Sequence, residues 1–267
     1  MYKAFFGLTE RPFSKTPDPK YLYLSKGHRE ALARLQHAVE ERDIILLTGA
    51  IGCGKTTLSR ALMDELDSGF QVILLTNPRL SPLEFLRTLA FRLDIVKPAE
   101  YKSELLEQLG ERLYQLYRES IHPVLIIDEA QLIPHKDTFD EIRLLTNFQL
   151  DDGNLISVVL MGQPELRSRL AHPVYEPLRQ RIGIHFALGP LSESEIGAYL
   201  EYRILCAGGT GDIFQQDAVS AIARFTGGTP RKINQVAALA LLEGFGRDCS
   251  RIDAKIVAAV VEELSEL

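Results

Sequence analysis

Residues 44–57 read IILLTGAIGCGKTT, and no other stretch restricts the fold as much. Ile44 to Leu47 form an apolar run suited to a buried parallel strand. Gly49, Gly54, Lys55 and Thr56 then satisfy G-x-x-x-x-G-K-[ST] in every fixed position. The glycines let the backbone curl with its N–H groups inward, making a nest for an anion. The helix that starts near Gly54–Lys55 aims its positive end at the same point. The amphipathic run Leu58, Ala61, Leu62 and Leu66 supplies that helix. Strand, glycine turn and helix in this order predict an α/β fold with the loop at the carboxyl edge of a sheet. The chemistry predicted is a nucleoside triphosphate held with Mg²⁺. Gly49, Ile51, Gly52, Cys53, Gly54, Lys55, Thr56 and Thr57 are its candidate contacts. Lys55 reaches the β- and γ-phosphates, and the Thr56 hydroxyl ligates the metal. The same amides favour a thiolate at Cys53, which predicts faster thiol labelling there than at Cys206 or Cys249.

A second apolar run, PVLIIDE at 123–129, ends in two carboxylates. Asp128 is the candidate second ligand to Mg²⁺, and Glu129 the candidate for polarising the attacking water. Gln131 follows in DEAQ and is a candidate relay of phosphate state. Leu155–Met161 predicts a further strand that ends at Gly162-Gln163-Pro164, which makes Gln163 a candidate phosphate or water contact. A helix is predicted over Asp137–Leu150. Arg179 and Arg181 precede a last strand at Gly183–Ala187, and each is a candidate finger donated to a neighbouring subunit.

Residues 1–26 lack periodicity. Pro12, Pro17 and Pro19 break them, and Phe5, Phe6, Phe13, Tyr21 and Tyr23 give them something to bury, which predicts an extended arm packed on a surface. Ser25–Glu40 reads as a helix capped by Ser25, with His28, Ala31, Leu32, Leu35 and Val39 on one face. His28, near its start, is a candidate contact for a nucleotide base. Further helical stripes fall at Leu83, Leu86, Ala90 and Leu93, and at Leu106, Leu109, Leu113, Leu116 and Tyr117. Asp151-Asp152-Gly153-Asn154 is a turn cluster. Strand patterns stop near Gly189-Pro190. Four helical stretches follow, Glu193–Cys206, Gln216–Phe225, Pro230–Leu242 and Asp253–Leu264. Arg231 opens the third, where its charge opposes the helix dipole, and it is a candidate γ-phosphate contact. The domains predicted are an arm at 1–26, a core at 27–189 and an all-α region at 190–267.

The net charge of −6 argues mildly against a dedicated nucleic-acid scaffold. Three cysteines give no disulfide framework, and no apolar run reaches the ~18–20 residues that span a bilayer. A cytoplasmic location is the expectation.

The segments FFGLTERPFSKTPDP, IIDEAQ, GQPEL, LRQRI and TPRKINQ, with the phosphate loop, resemble AAA+ ATPases of the general secretion pathway protein A type. The resemblance covers nearly the whole chain. It implies a P-loop AAA+ core of three layers around a parallel sheet, followed by a small all-α lid. It also implies ATP hydrolysis, nucleotide-dependent self-association, and work on an envelope secretion, pilus or polymer-export complex. Many such proteins continue into a transmembrane helix and a peptidoglycan-binding region, which this sequence lacks. A separate membrane-anchored partner is therefore expected. Gln163 stands where many AAA+ proteins carry Asn or Thr. Related chains that act on DNA in transposition or replication give the alternative. Against it stand the acidic balance and the lack of an appended helix-turn-helix.

Overall fold

The computed structural model describes residues 1–14, 19–151 and 153–266. Pro17 of the arm and Asp152 of the turn cluster lie outside the described residues. The chain divides into two compact units. One comprises Glu30–Gly49 and Ser59–Leu188. The other comprises Met1–Arg29, Ala50–Leu58 and Gly189–Leu267.

In chain order the strands are β1 (Ile44–Gly49), β2 (Phe70–Leu75), β3 (His122–Ile127), β4 (Gln149–Leu150), β5 (Gly153–Asn154), β6 (Ser157–Gly162) and β7 (Ile182–Leu188). The helices of the first half are α1 (Tyr2–Phe5), α2 (Lys26–Glu40), α3 (Lys55–Glu65), α4 (Pro82–Arg92), α5 (Lys102–Arg118) and α6 (Lys136–Leu145). The remainder are α7 (Pro164–Leu170), α8 (Glu176–Arg179), α9 (Glu193–Cys206), α10 (Gln216–Thr226), α11 (Pro230–Gly246) and α12 (Ala254–Ser265).

Five strands form one parallel sheet in the order β2-β3-β6-β1-β7. Every residue of β1 and of β6 is buried, as expected where helices cover both faces of a parallel sheet. Registers such as Thr48 opposite Gly162 and Ile127 opposite Leu160 bring the carboxyl ends of β1, β6 and β3 to one edge. The strand ending at Gly162 therefore lies between the one leading into the glycine loop and the one leading into Asp128-Glu129.

α4 begins at a full capping box, Ser81 with Glu84, followed by Pro82 at its first position. Its core side is set by Phe85, Leu86, Leu89, Ala90 and Leu93, with Leu83 only half-buried. In α5 the fully buried residues are Leu105, Leu109, Leu113 and Leu116, while Leu106 and Tyr117 sit at the margin. Each stripe is thus rotated by part of a turn from the sequence expectation, because a helix's angle on a sheet is set by its neighbours. The helix predicted to Leu150 stops at Leu145. The Thr146 hydroxyl turns back to the Arg143 carbonyl at 2.7 Å, and Gln149–Leu150 pairs antiparallel with Gly153–Asn154 instead. α7 has no counterpart in the sequence reading. Pro164 sits at its first turn, where a missing N–H costs nothing.

In the other unit α9 to α12 enclose Ile196, Leu200, Ile204, Ile222, Ile233, Val236 and Val257. The N-terminal residues belong to this core rather than forming an extended arm. α1 is a helical turn, Pro19–Tyr21 is a 3₁₀ turn, and Phe6, Phe13 and Tyr21 are buried with the helices. Arg203 anchors them. Its Nε donates to the Pro12 carbonyl at 2.6 Å, and its guanidinium lies 4.8 Å from the Tyr21 ring centre and 5.9 Å from that of Phe13. No described helix is long and apolar enough to cross a membrane.

Candidate functional site

The glycine loop leaves β1 after Gly49 and ends where α3 begins at Lys55. Gly52 (φ +81°) and Gly54 (φ +105°) both take left-handed backbone that costs other residues strain. The Cys53 N–H closes the turn on the Ala50 carbonyl at 3.2 Å. Two successive loop carbonyls are held from outside. That of Gly52 accepts the backbone N–H of Arg231, in the first turn of α11, at 3.2 Å. That of Cys53 accepts from His28 Nε2 at 3.0 Å. A Cβ on Gly52 would stand 2.5 Å from Arg231 Cβ, and one on Gly54 2.8 Å from His28 Nε2. Lys55 is buried, with its Nζ 3.3 Å from the Ala50 carbonyl.

A carbonyl only accepts, so His28 Nε2 carries the proton and Nδ1 accepts from Ser25 Oγ at 2.7 Å. Ser25 Oγ also caps α2 by accepting the His28 N–H at 3.2 Å. Burial lowers the His28 pKa against the opposing pull of the Cys53 carbonyl and Glu195, so the ring is neutral at pH 7.

In the sheet unit, Asp128 and Glu129 follow β3 directly. Asp128 is buried, and its Oδ1 accepts the Glu129 N–H at 2.9 Å. Glu129 has φ +53°, a left-handed backbone that is uncommon outside glycine. Its Oε2 accepts two side-chain amides, from Gln131 Nε2 at 2.5 Å and from Gln163 Nε2 at 3.1 Å. Gln131 Oε1 in turn accepts the Gln163 backbone N–H at 3.0 Å. Glu129, Gln131 and Gln163 thus form a closed polar triad at the ends of β3 and β6. Gly162 makes room for it, since a Cβ there would lie 2.6 Å from Gln131 Oε1.

Residues 37–170, half of the chain, match the family model described as AAA domain. The chain belongs to the AAA domain family. Family membership implies nucleotide binding. The sequence is also 38% identical to General secretion pathway protein A of Aeromonas hydrophila, over 99% of this chain and 49% of that protein. It therefore spans about half the length of that curated relative. Among solved structures the AAA domain chain is similar to the ORC2 protein of Aeropyrum pernix (TM-score 0.66, 18% identity, 95% of this chain and 71% of that one). It is likewise similar to the RuvB Holliday junction branch migration motor of Thermotoga maritima (TM-score 0.61, 21% identity, 96% and 74%). At these identities the likeness establishes the α/β fold with its C-terminal helices, and nothing about substrate.

The remaining candidates of this AAA domain protein have varied surroundings. Thr56 and Thr57 are half-buried, and Ile51 is 57% exposed. Cys53 is buried while Cys206 and Cys249 are half-buried, so accessibility runs against the labelling order predicted from loop electrostatics. Arg231 meets the loop through its backbone, and its side chain is exposed. Arg179 is exposed and bonds the Ala171 carbonyl (3.0 Å) and the Glu176 carboxylate (2.8 Å). Arg181, also exposed, reaches Asn147 Oδ1 at 3.4 Å. Arg169 was not singled out from sequence. Its guanidinium donates to the carbonyls of Ile133 (2.5 Å) and Gln131 (3.4 Å) and to the Tyr175 hydroxyl (3.0 Å). It lies 4.9 Å from the Phe139 ring centre, so it fixes the segment that carries Gln131. An arginine in a charged LRSRL run carries no sequence signal of that role.

Proposed function

We propose that the protein binds ATP with Mg²⁺ and hydrolyses it to remodel or energise an envelope secretion, pilus or polymer-export complex. The observation that carries the hydrolytic half is the Glu129 carboxylate, fixed at the sheet edge by two amide donors on one oxygen. Loop amides and Lys55 Nζ hold the triphosphate. Thr56 and Asp128 offer the hard oxygen ligands that suit Mg²⁺, which neutralises phosphate charge when bound. Gln131 and Gln163 occupy Oε2 of Glu129, so Oε1 is the oxygen that takes the proton from the attacking water. Gln163 also lies close enough to that carboxylate to touch the water it orients. Arg181 or Arg179 of a second copy supplies positive charge as the phosphoryl group transfers, and Arg231 couples the C-terminal helices to the γ-phosphate. His28 serves the same site by holding the Cys53 carbonyl of the loop.

The secretion half rests on the relative from Aeromonas hydrophila, and in this reading the chain works in the cytoplasm beside a membrane-anchored partner. Glu129→Gln is the test. The amide cannot accept the water's proton, so ATP should bind within about twofold of wild type while turnover falls by roughly 10²–10⁴. Normal turnover in that variant would remove the assignment. For the secretion half, Lys55→Ala in the native host should abolish export or assembly of the envelope complex, and unchanged export would refute it.

A further inference from the structure

We propose that His28 is a positioning residue of the phosphate loop, its Nε2–H holding the Cys53 carbonyl so that the next amide, that of Gly54, faces the bound anion. The inference rests on the reading of that loop as a triphosphate site. The reasoning begins with the peptide plane. In a trans peptide the carbonyl of one residue and the N–H of the next point in opposite directions, and no described peptide bond is cis. Whatever fixes the Cys53 carbonyl therefore fixes the Gly54 N–H on the opposite side. The His28 ring takes that carbonyl at 3.0 Å, and its edge fills the space a Gly54 side chain would need, 2.8 Å from an ideal Cβ.

The preceding peptide is treated alike by a different donor. The Arg231 N–H holds the Gly52 carbonyl, and the opposed Cys53 N–H is used inside the loop on Ala50. Two consecutive peptides with positive-φ glycines on either side of Cys53 have few internal restraints of their own. External anchors on both carbonyls choose one orientation in advance of ligand, which lowers the ordering cost of binding.

A histidine suits this position because its ring is rigid and has two ends. Nδ1 is tied to Ser25 Oγ, the cap of α2, so the ring cannot swing. The start of α2 is itself tied, through the Lys26 N–H, to Glu195 Oε1 at 3.0 Å, and Glu195 completes the capping box of α9. The loop carbonyl is thus connected to two helix starts through His28. With both ring nitrogens engaged, contact with a nucleotide base is not the ring's main work.

The experiment compares wild type, His28→Leu, His28→Asn and His28→Gln, with Lys55→Ala as the non-binding baseline. Two probes separate the alternatives, Mg·ATP measured by calorimetry and inorganic tripolyphosphate measured by displacement of a fluorescent ATP analogue. Far-UV circular dichroism checks folding. Leu has no donor and Asn is too short to reach, so both should weaken ATP and tripolyphosphate by a similar factor of roughly 5–10, the loss of one hydrogen bond. Gln, long enough to donate from its amide, should return to within about twofold of wild type. The proposal is overturned if Leu and Asn bind as wild type does. It is overturned if only ATP weakens, which marks a base contact, or if Gln falls as far as Leu, which marks packing alone. Wild type binding no better than Lys55→Ala would instead sink the nucleotide reading, and this inference with it.

Discussion

Arg169 shows how much one side chain settles at the residue scale. Its planar fork serves the carbonyls of Gln131, Ile133 and Pro134 and the Tyr175 hydroxyl while its face lies against Phe139 and Tyr175. Lysine has neither the fork nor the stacking surface. Arg169→Lys should therefore destabilise the protein by about 1–3 kcal/mol and lower turnover more than ATP affinity, read from urea unfolding and steady-state kinetics. Gly162→Ala attacks the same triad from the other side. A Cβ placed 2.6 Å from Gln131 Oε1 and 2.7 Å from Leu166 Cδ2 displaces the glutamine, so turnover should drop about tenfold or more. Wild-type kinetics in that variant would show that the triad is not needed. His122 offers a pH test. Its Nε2 donates to Ser157 Oγ at 2.7 Å, because that hydroxyl already gives its proton to the Val39 carbonyl. Burial, aided by Arg42, pushes its pKa down to about 4. Below pH 6.5 the unfolded chain takes a proton that the folded chain refuses until about pH 4. Stability is full above that window and is lost as pH falls through it, by roughly 1–2 kcal/mol once the ring's partial exposure is counted. Urea midpoints at pH 7 and pH 5 measure the loss, and His122→Gln should flatten it.

At the scale of elements, α9 carries the N-terminal region of its unit. Glu195 serves two helix starts at once, accepting from Ser192 N–H (2.9 Å) in its own capping box and from Lys26 N–H (3.0 Å) of α2. Ser192→Ala removes one cap interaction and should cost about 1 kcal/mol, whereas Glu195→Ala strips both helices and should cost more. Equal costs from the two variants would mean that the bond to α2 contributes nothing. Two turns along, Arg203 is buried among Phe13, Tyr21 and Tyr199 and bonds Pro12. Tyr21, desolvated and beside Glu10, has its pKa pushed up to about 12 and stays neutral beneath the cation. Arg203→Leu should release residues 1–14 to proteases before the rest of the chain, as N-terminal sequencing of limited digests would show.

For the whole molecule, the test of self-association is kinetic. If the finger comes from a neighbour, specific activity should rise with protein concentration, since a missing finger costs ~10³–10⁵ in rate where the effect is known. Arg181→Ala subunits keep their own loop, and Lys55→Ala subunits keep the finger. Mixing the two should restore part of the turnover, and the same mixture with Arg179→Ala assigns the finger between the two arginines. Flat specific activity on dilution, with mixtures that stay inactive, would place all the chemistry within one chain.

What the amino-acid order determined by itself was local. The strand, glycine turn and helix at 44–66, the carboxylates after β3, the Ser25 cap and the span of α9 each follow from spacing or backbone chemistry within about one turn of chain. The sheet order was decided elsewhere, because which strand lies between β1 and β3 depends on pairings between segments distant in sequence, Ile44 with Val158 and Val124 with Ser157. So was the choice of Leu105 over Leu106 for the core, which turns on a rotation that only the packed neighbours fix. The N-terminal residues gave aromatic content but no periodicity, and their place in the helical core needed Arg203, some 190 residues away, to supply the carbonyl's partner. The triad of Glu129, Gln131 and Gln163 and the grip of His28 on the loop belong to the same class. A side-chain hydrogen bond between distant segments leaves no period in sequence, since its geometry exists only once both backbones are held by the fold.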